Sequence, residues 1–206
     1  MKLKLLIVDD DVLIRELYLS ILTMAGYEVE VSGDLPTTQR ILKRSIPDFL
    51  LLDLMMKPIN GWEILEQIRE NSSWQEIPII IFSGKVLYAH EILRYGEKVV
   101  GYIKKPTRLP EIIIEIDRIL SCQKDTRSLI EKAATLQFSD QELFEIRNLR
   151  LNIPVLDLLT SELQQNFKIF LEGGNYSNKI HDPEIEMLHV WIEEKRRRLD
   201  VLIGGI

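Results

Sequence analysis

"LLIVDDD", residues 5–11, sets four apolar residues ahead of Asp9, Asp10 and Asp11. The apolar run is short and unbroken, the pattern of a strand covered on both faces. Three adjacent carboxylates repel one another unless a cation relieves them. So the stretch raises two expectations: a buried strand, and a cation site at its end.

The same grammar repeats outward from that stretch. Residues 12–25 carry Val12, Leu13, Leu17, Ile21, Leu22 and Met24 mostly at helical spacing, and Gly26 stops them. "YEVEV" (27–31) alternates like a strand, and Pro36 suits the first turn of a helix that turns Ile41 and Leu42 inward. "DFLLLDL" (48–54) is a second buried strand ending on an aspartate, and Trp62, Ile64, Leu65 and Ile68 mark a helix over 61–70. "IPIIIFS" (77–83) reads as a strand, 86–95 as a weaker helix, "VVGYIKKP" (99–106) as a strand and 109–120 as a fifth helix. Strand and helix thus alternate five times, which predicts a doubly wound parallel sheet with helices on both faces.

In such sheets functional groups gather at the carboxyl ends of the strands. Asp9 and Asp10 follow the first strand, Asp53 the third, Ser83 the fourth and Lys105 the fifth. Carboxylates without histidine or cysteine suit a hard cation with oxygen ligands, and Mg²⁺ also favours phosphate oxygens. A carboxylate placed opposite them, Asp53, can attack phosphorus. Lys105 and Ser83 then supply charge and a hydroxyl to the phosphoryl oxygens. Taken singly, each residue is a turn former, a cap or a solvated charge. Asp11 reads best as a helix cap, and it is the convergence of the others that carries meaning.

Residues 3–121 resemble a receiver domain of the two-component response regulators, on "LLIVDDD", "PDFLLLDLMMKPINGWE", "IPIIIFSG" and "GYIKKPT" in that order. The resemblance implies a flavodoxin-like (βα)5 fold. It implies a phosphoryl group accepted on Asp53 from a histidine kinase or phosphotransfer protein. Asp9, Asp10, Asp53 and the Met55 backbone carbonyl would hold Mg²⁺. Ser83 and Lys105 would contact the phosphate, Tyr102 would be the aromatic switch residue, and the peptide before Pro106 would be cis. Three departures stand out: Lys57 precedes Pro58 in the loop after Asp53, Gly84 follows Ser83 in place of an alanine, and "YGEKVVGY" (95–102) is a longer link than usual. None removes a functional group, so the site is expected to be competent rather than that of a pseudo-receiver.

The domain boundary is expected at residue 122, with 123–206 as a small all-α module of no recognisable family. "QKDTRS" (123–128) is a linker or a continuation of the fifth helix. Ser139 and Glu142 fit a capping box, Pro154 breaks the pattern, and residues 155–171 place Val155, Leu159, Leu163, Phe167 and Phe170 on one face. "GGNYSN" (173–178) is a loop, and Asp182 with Pro183 starts a last helix bearing Ile185, Leu188, Ile192, Leu199 and Leu202 inward.

The 206-residue chain has a net charge of -6, and residues 123–206 hold 11 Lys and Arg against 14 Asp and Glu. DNA is therefore ranked low as a partner, although "KRRR" (195–198) is a basic cluster and "EGGNYSNKI" resembles the start of a helix-turn-helix. That likeness ends at "HDPEIEMLHVW", which lacks the turn and second short helix. His181 and His189 lack a phosphotransfer motif, and Trp191 is expected in the core or on a partner surface. No apolar run approaches the ~20 residues of a membrane span. The lone Cys122 excludes an internal disulfide framework and points to the cytoplasm. The expected function is a phosphorylation-dependent response regulator, not an enzyme beyond its own phosphorylation and dephosphorylation. It would signal through protein–protein contacts and possess a homodimer face on the fourth helix, fifth strand and fifth helix. The alternative is a transcription regulator with an atypical DNA-binding tail.

Overall fold

The structure is a computed structural model that describes residues 2–173 and 183–204. The chain divides into two compact units, Met1–Lys85 with Lys98–Glu115, and Val86–Glu97 with Ile116–Ile206.

The first unit holds the sheet. Its strands are β1 (Lys4–Val8), β2 (Glu28–Ser32), β3 (Phe49–Leu52), β4 (Ile79–Ser83) and β5 (Gly101–Lys104), all parallel, in the order β2-β1-β3-β4-β5. This is the expected flavodoxin-like order. Its helices are α1 (Val12–Met24), α2 (Leu35–Arg44) and α3 (Gly61–Glu70). Leu5–Val8, Phe49–Leu52 and Ile79–Phe82 are almost wholly buried, which is why those strands read as continuous apolar runs. β2 lies at the edge and alternates instead.

The chain leaves β1 toward β2 on one side, while β3 pairs on the other side. This reversal opens the crevice where open α/β sheets bind ligands. Asp11 caps α1 as expected, its Oδ1 accepting from the Leu13 and Ile14 amides.

The second unit is helical among the described residues. It contains α4 (Ala89–Tyr95), the later part of α5 (Leu109–Thr135), α6 (Asp140–Gly173) and α7 (Pro183–Ile203). The fourth helix starts at Ala89 rather than 86, and the long link after it is absorbed by a 3-10 turn, Gly96–Lys98. The fifth helix does not stop at 120; it runs unbroken through the expected boundary at residue 122.

Pro154 also fails to break its helix, because α6 continues through it. A proline cannot donate to the carbonyl four residues back. Here that carbonyl is Arg150 O, and the Cys122 thiol donates to it at 3.5 Å. Val155, Leu156 and Leu159, all buried just beyond the proline, hold the helix in place. Ile146, Leu149, Ile153, Leu199 and Leu202 form one core cluster of this unit, with Leu129, Ile130, Phe138 and Ile203 packed against them.

α6 and α7 run antiparallel, since Arg198 bonds Glu145 while His189 lies beside Gln164. The Ser139–Glu142 capping box is present. The expected loop beyond residue 173, His181 and the Asp182 cap lie outside the described residues, as do the side chains of Phe167 and Phe170.

α4 packs against both α6 and α7. Gly96 lets them approach: a Cβ there would lie 2.5 Å from Leu156 Cδ2. One side of α4, part of the expected homodimer face, thus packs on helices of the same chain, while His90 and Arg94 stay exposed.

Candidate functional site

Register places the site. Val8 pairs with Leu52, so Asp9 and Asp53 each stand one residue past a matched strand end. The Asp53 amide donates to Val8 O at 2.9 Å, and the Lys105 amide donates to Ser83 O at 3.0 Å. Four strand ends thus deliver their side chains to one rim.

Asp53 is buried, and both of its carboxylate oxygens have partners. Oδ1 accepts from the Ser83 hydroxyl at 2.6 Å and from the Met55 amide at 3.1 Å. Oδ2 lies 3.2 Å from the Lys105 ammonium. Lys105 also forms a close ion pair with Asp9, which is 1% exposed. Burying that carboxylate without a cation would be costly. Lys105 Nζ lies 4.8 Å from the centre of the Phe82 ring, and Tyr18 meets the same ring edge-on. Tyr18 donates from its hydroxyl to Thr107 O at 3.2 Å, and burial raises its phenol above the ordinary value. A packed aromatic pair thus backs the lysine. Tyr102 is buried on β5.

Asp9, Asp10 and Asp53 each bring a carboxylate oxygen within 4.8 Å of the others. An all-oxygen set of three carboxylates fits a hard divalent cation such as Mg²⁺.

Three positioning features were not legible as such. Asp10 Oδ2 accepts from the Lys57 amide at 3.1 Å, so the departure at Lys57 acts here through its backbone. The Arg15 guanidinium donates to Asp9 O at 2.6 Å. Gly61 is the third: a Cβ there would lie 2.0 Å from Asp53 O and 2.7 Å from Leu54 Cα. The available signal was a poor helix former, glycine, in the first turn after the Asn60 cap. The peptide before Pro106 is cis as the resemblance implied, and so is the one before Pro58.

Comparison with known proteins identifies the family and the fold. Residues 5–117 match the family model of the response regulator receiver domain. The chain is 28% identical over 177 residues to "Probable transcriptional regulator ycf29" of Cyanophora paradoxa, covering 81% of this chain and 83% of that protein. It is 26% identical to the "DNA-binding dual master transcriptional regulator RpaA" of Synechocystis, covering 96% of this chain and 86% of that one. The response regulator MprA of Mycobacterium leprae is 28% identical, with 68% of this chain covered and 60% of MprA.

Among solved structures, chemotaxis protein CheY4 of Vibrio cholerae shares the fold, with a TM-score of 0.53 at 24% identity over 57% of this chain and 98% of that one. The receiver domain of HemR from Leptospira biflexa gives 0.51 at 25%, covering 57% and 93%. The low rank given to DNA finds no support here, since one of these relatives is named as DNA-binding. No helix among the described residues is long and apolar enough to cross a membrane. The chain belongs to the response regulators, with a receiver domain over residues 5–117.

Proposed function

We propose that this chain accepts a phosphoryl group on Asp53 from a histidine kinase or phosphotransfer protein. The observation that carries the reading is the convergence of Ser83, Lys105 and the Asp9–Asp10 pair on the Asp53 carboxylate. An Asp53 oxygen attacks phosphorus and the bond to the donor nitrogen breaks, leaving an acyl phosphate. Lys105 faces the charge that gathers on the phosphoryl oxygens, and the Ser83 hydroxyl can turn its donor to one of them. Asp9, Asp10, Asp53 and the Met55 carbonyl would hold Mg²⁺, which when bound neutralises part of that charge. Positioning of this kind supplies most of phosphoryl-transfer catalysis. The chain promotes its own phosphorylation and dephosphorylation and turns over no other substrate, and the cytoplasm is its natural compartment.

Intact-mass measurement with a small phosphodonor and Mg²⁺ tests this. One phosphoryl adduct is expected on the wild type and none on Asp53→Asn. An adduct on the variant would place the nucleophile elsewhere.

Two outputs stand, each with its own support. Control of transcription is favoured by relatives named as transcriptional regulators that align across the tail as well as the receiver. Signalling through protein contacts is favoured by three of the four cations of the basic cluster, all but the exposed Arg197. Lys195 pairs with Glu97, Arg196 with Asp157 and Glu193, and Arg198 with Glu145. Those cations already have carboxylate partners, whereas phosphate binding needs cations to offer. Retention on random duplex DNA separates the two, because phosphate contacts weaken steeply with salt.

A further inference from the structure

We infer that the cleft between the start of α2 and the loop 56–59 binds a small amphipathic anion: an apolar body the size of a medium-chain acyl group carrying one carboxylate. The cleft has a volume of about 430 Å³, inside the range of small-molecule sites. It lies wholly within the sheet-bearing unit. Leu35, Met56 and Ile64, all buried, form its floor. Pro36, Pro58 and Ile59 form its walls. Rigid apolar walls of this kind accept an alkyl or aromatic body and offer it no donors.

Charge sits only at the edge. Arg40 and Lys57, both exposed, line the cleft together with Asp34. The Asp34 carboxylate is already committed to capping α2, its Oδ1 accepting from the Thr37 amide at 2.7 Å. That bond holds it ionised below the usual carboxylate range, with Arg40 adding to the effect. Two cations against one engaged carboxylate leave the edge net positive, so an anionic head is preferred over a cationic one. Lys57 contributes its amide to Asp10, and its side chain is exposed. The cleft adjoins the phosphoacceptor rim through the Lys57 amide but takes none of Asp9, Asp10, Asp53, Ser83 or Lys105 into its lining, and this inference stands whether or not Asp53 is phosphorylated.

Met56 makes the test direct. The chain has five methionines, so carbon-labelled methionine methyls give a short spectrum in which Met56→Leu assigns the cleft signal. Decanoate, added below its micellar range to the full chain, should shift the Met56 methyl saturably. The exposed Met24 and Met187 should stay still. Decylamine should leave Met56 unmoved. Arg40→Glu with Lys57→Glu, both on exposed side chains, should weaken decanoate binding about tenfold. The inference is overturned by an unmoved Met56, by an equal response to decylamine, by parallel shifts at Met24 and Met187 that mark general adsorption, or by unchanged affinity in the double variant.

Discussion

The Ser83 hydroxyl donates to Asp53 Oδ1 at 2.6 Å. Behind this bond Tyr102 is buried on β5. The Leu54 amide, 3.4 Å from Ser83 Oγ, and the Lys85 amide, 3.3 Å away, help keep it there. On the proposed reading, a phosphoryl group on Asp53 would change which oxygen the hydroxyl serves more than where it stands. Ser83→Ala should therefore slow phosphorylation by a small phosphodonor about tenfold, the worth of one hydrogen bond to a charged group. Mg²⁺ affinity should be nearly unchanged. A wild-type rate in the variant would show that the hydroxyl contributes nothing to transfer.

Asp10 and Asp11 are neighbours with different duties. Asp10→Ala removes one of three clustered carboxylates and the acceptor of the Lys57 amide, so Mg²⁺ binding and phosphorylation should both be lost. Asp11→Ala removes only the cap of α1 and should cost ~1 kcal/mol of stability with phosphorylation intact. Titration of Mg²⁺ against intrinsic fluorescence, with urea unfolding alongside, separates the two effects.

Two glycines invite opposite outcomes. At Gly61 an added methyl meets backbone of Asp53 and Leu54, which cannot swing aside. Gly61→Ala should cost about 1–3 kcal/mol and impair phosphorylation by moving Asp53. At Gly84 the nearest atoms are Lys105 O at 3.6 Å and Lys105 Cβ at 3.9 Å, ordinary contact distances. Gly84→Ala should change stability by no more than about 0.5 kcal/mol and leave the phosphorylation rate close to wild type. Thermal unfolding and intact mass check both.

The site was legible from the sequence because each of its groups ends a strand, where period and polarity change together. Asp9, Asp53, Ser83 and Lys105 could be placed on one rim without knowing any distance. Gly61 could not be assigned its task, since the backbone it meets is fixed only by the turn after β3. The division of the chain was less legible. Helical spacing shows that α4 is a helix, but not that Gly96 clears the way for Leu156. Pro154 misled because a proline's penalty depends on what satisfies the freed carbonyl, and Cys122 lies 28 residues away in sequence from Arg150.

Glu111 predicts a pH dependence. Its carboxylate accepts from the Thr107 hydroxyl, the Arg108 amide and the Arg108 guanidinium at the start of α5. Those bonds, the Thr107 one foremost, lower its pKa from 4.5 to about 2. The folded pKa lies below the unfolded one, so the contribution is complete above pH 4.5 and fades as pH falls toward 2. The gap in urea midpoint between wild type and Glu111→Gln should close across that window. A gap that stays constant would show that the bonds do not depend on ionisation.

Gly96 and Leu156 test whether α4 belongs energetically with the helices of the second unit. Gly96→Ala puts a methyl against Leu156 Cδ2, at a side chain that is itself fully buried. Overpacking of this kind costs about 1–3 kcal/mol. Leu156→Ala alone leaves a cavity and should cost about 2–5 kcal/mol. Together the two changes should cost less than their sum, because the new methyl occupies space that the leucine vacates. Residues in contact show such coupling at roughly 0.5–3 kcal/mol, whereas distant ones add to within about 0.5 kcal/mol. Hydrogen exchange of the 89–95 amides in each variant locates the effect. Additive costs, with unchanged protection in α4, would mean that the contact carries no energy and that α4 does not depend on α6 for its stability.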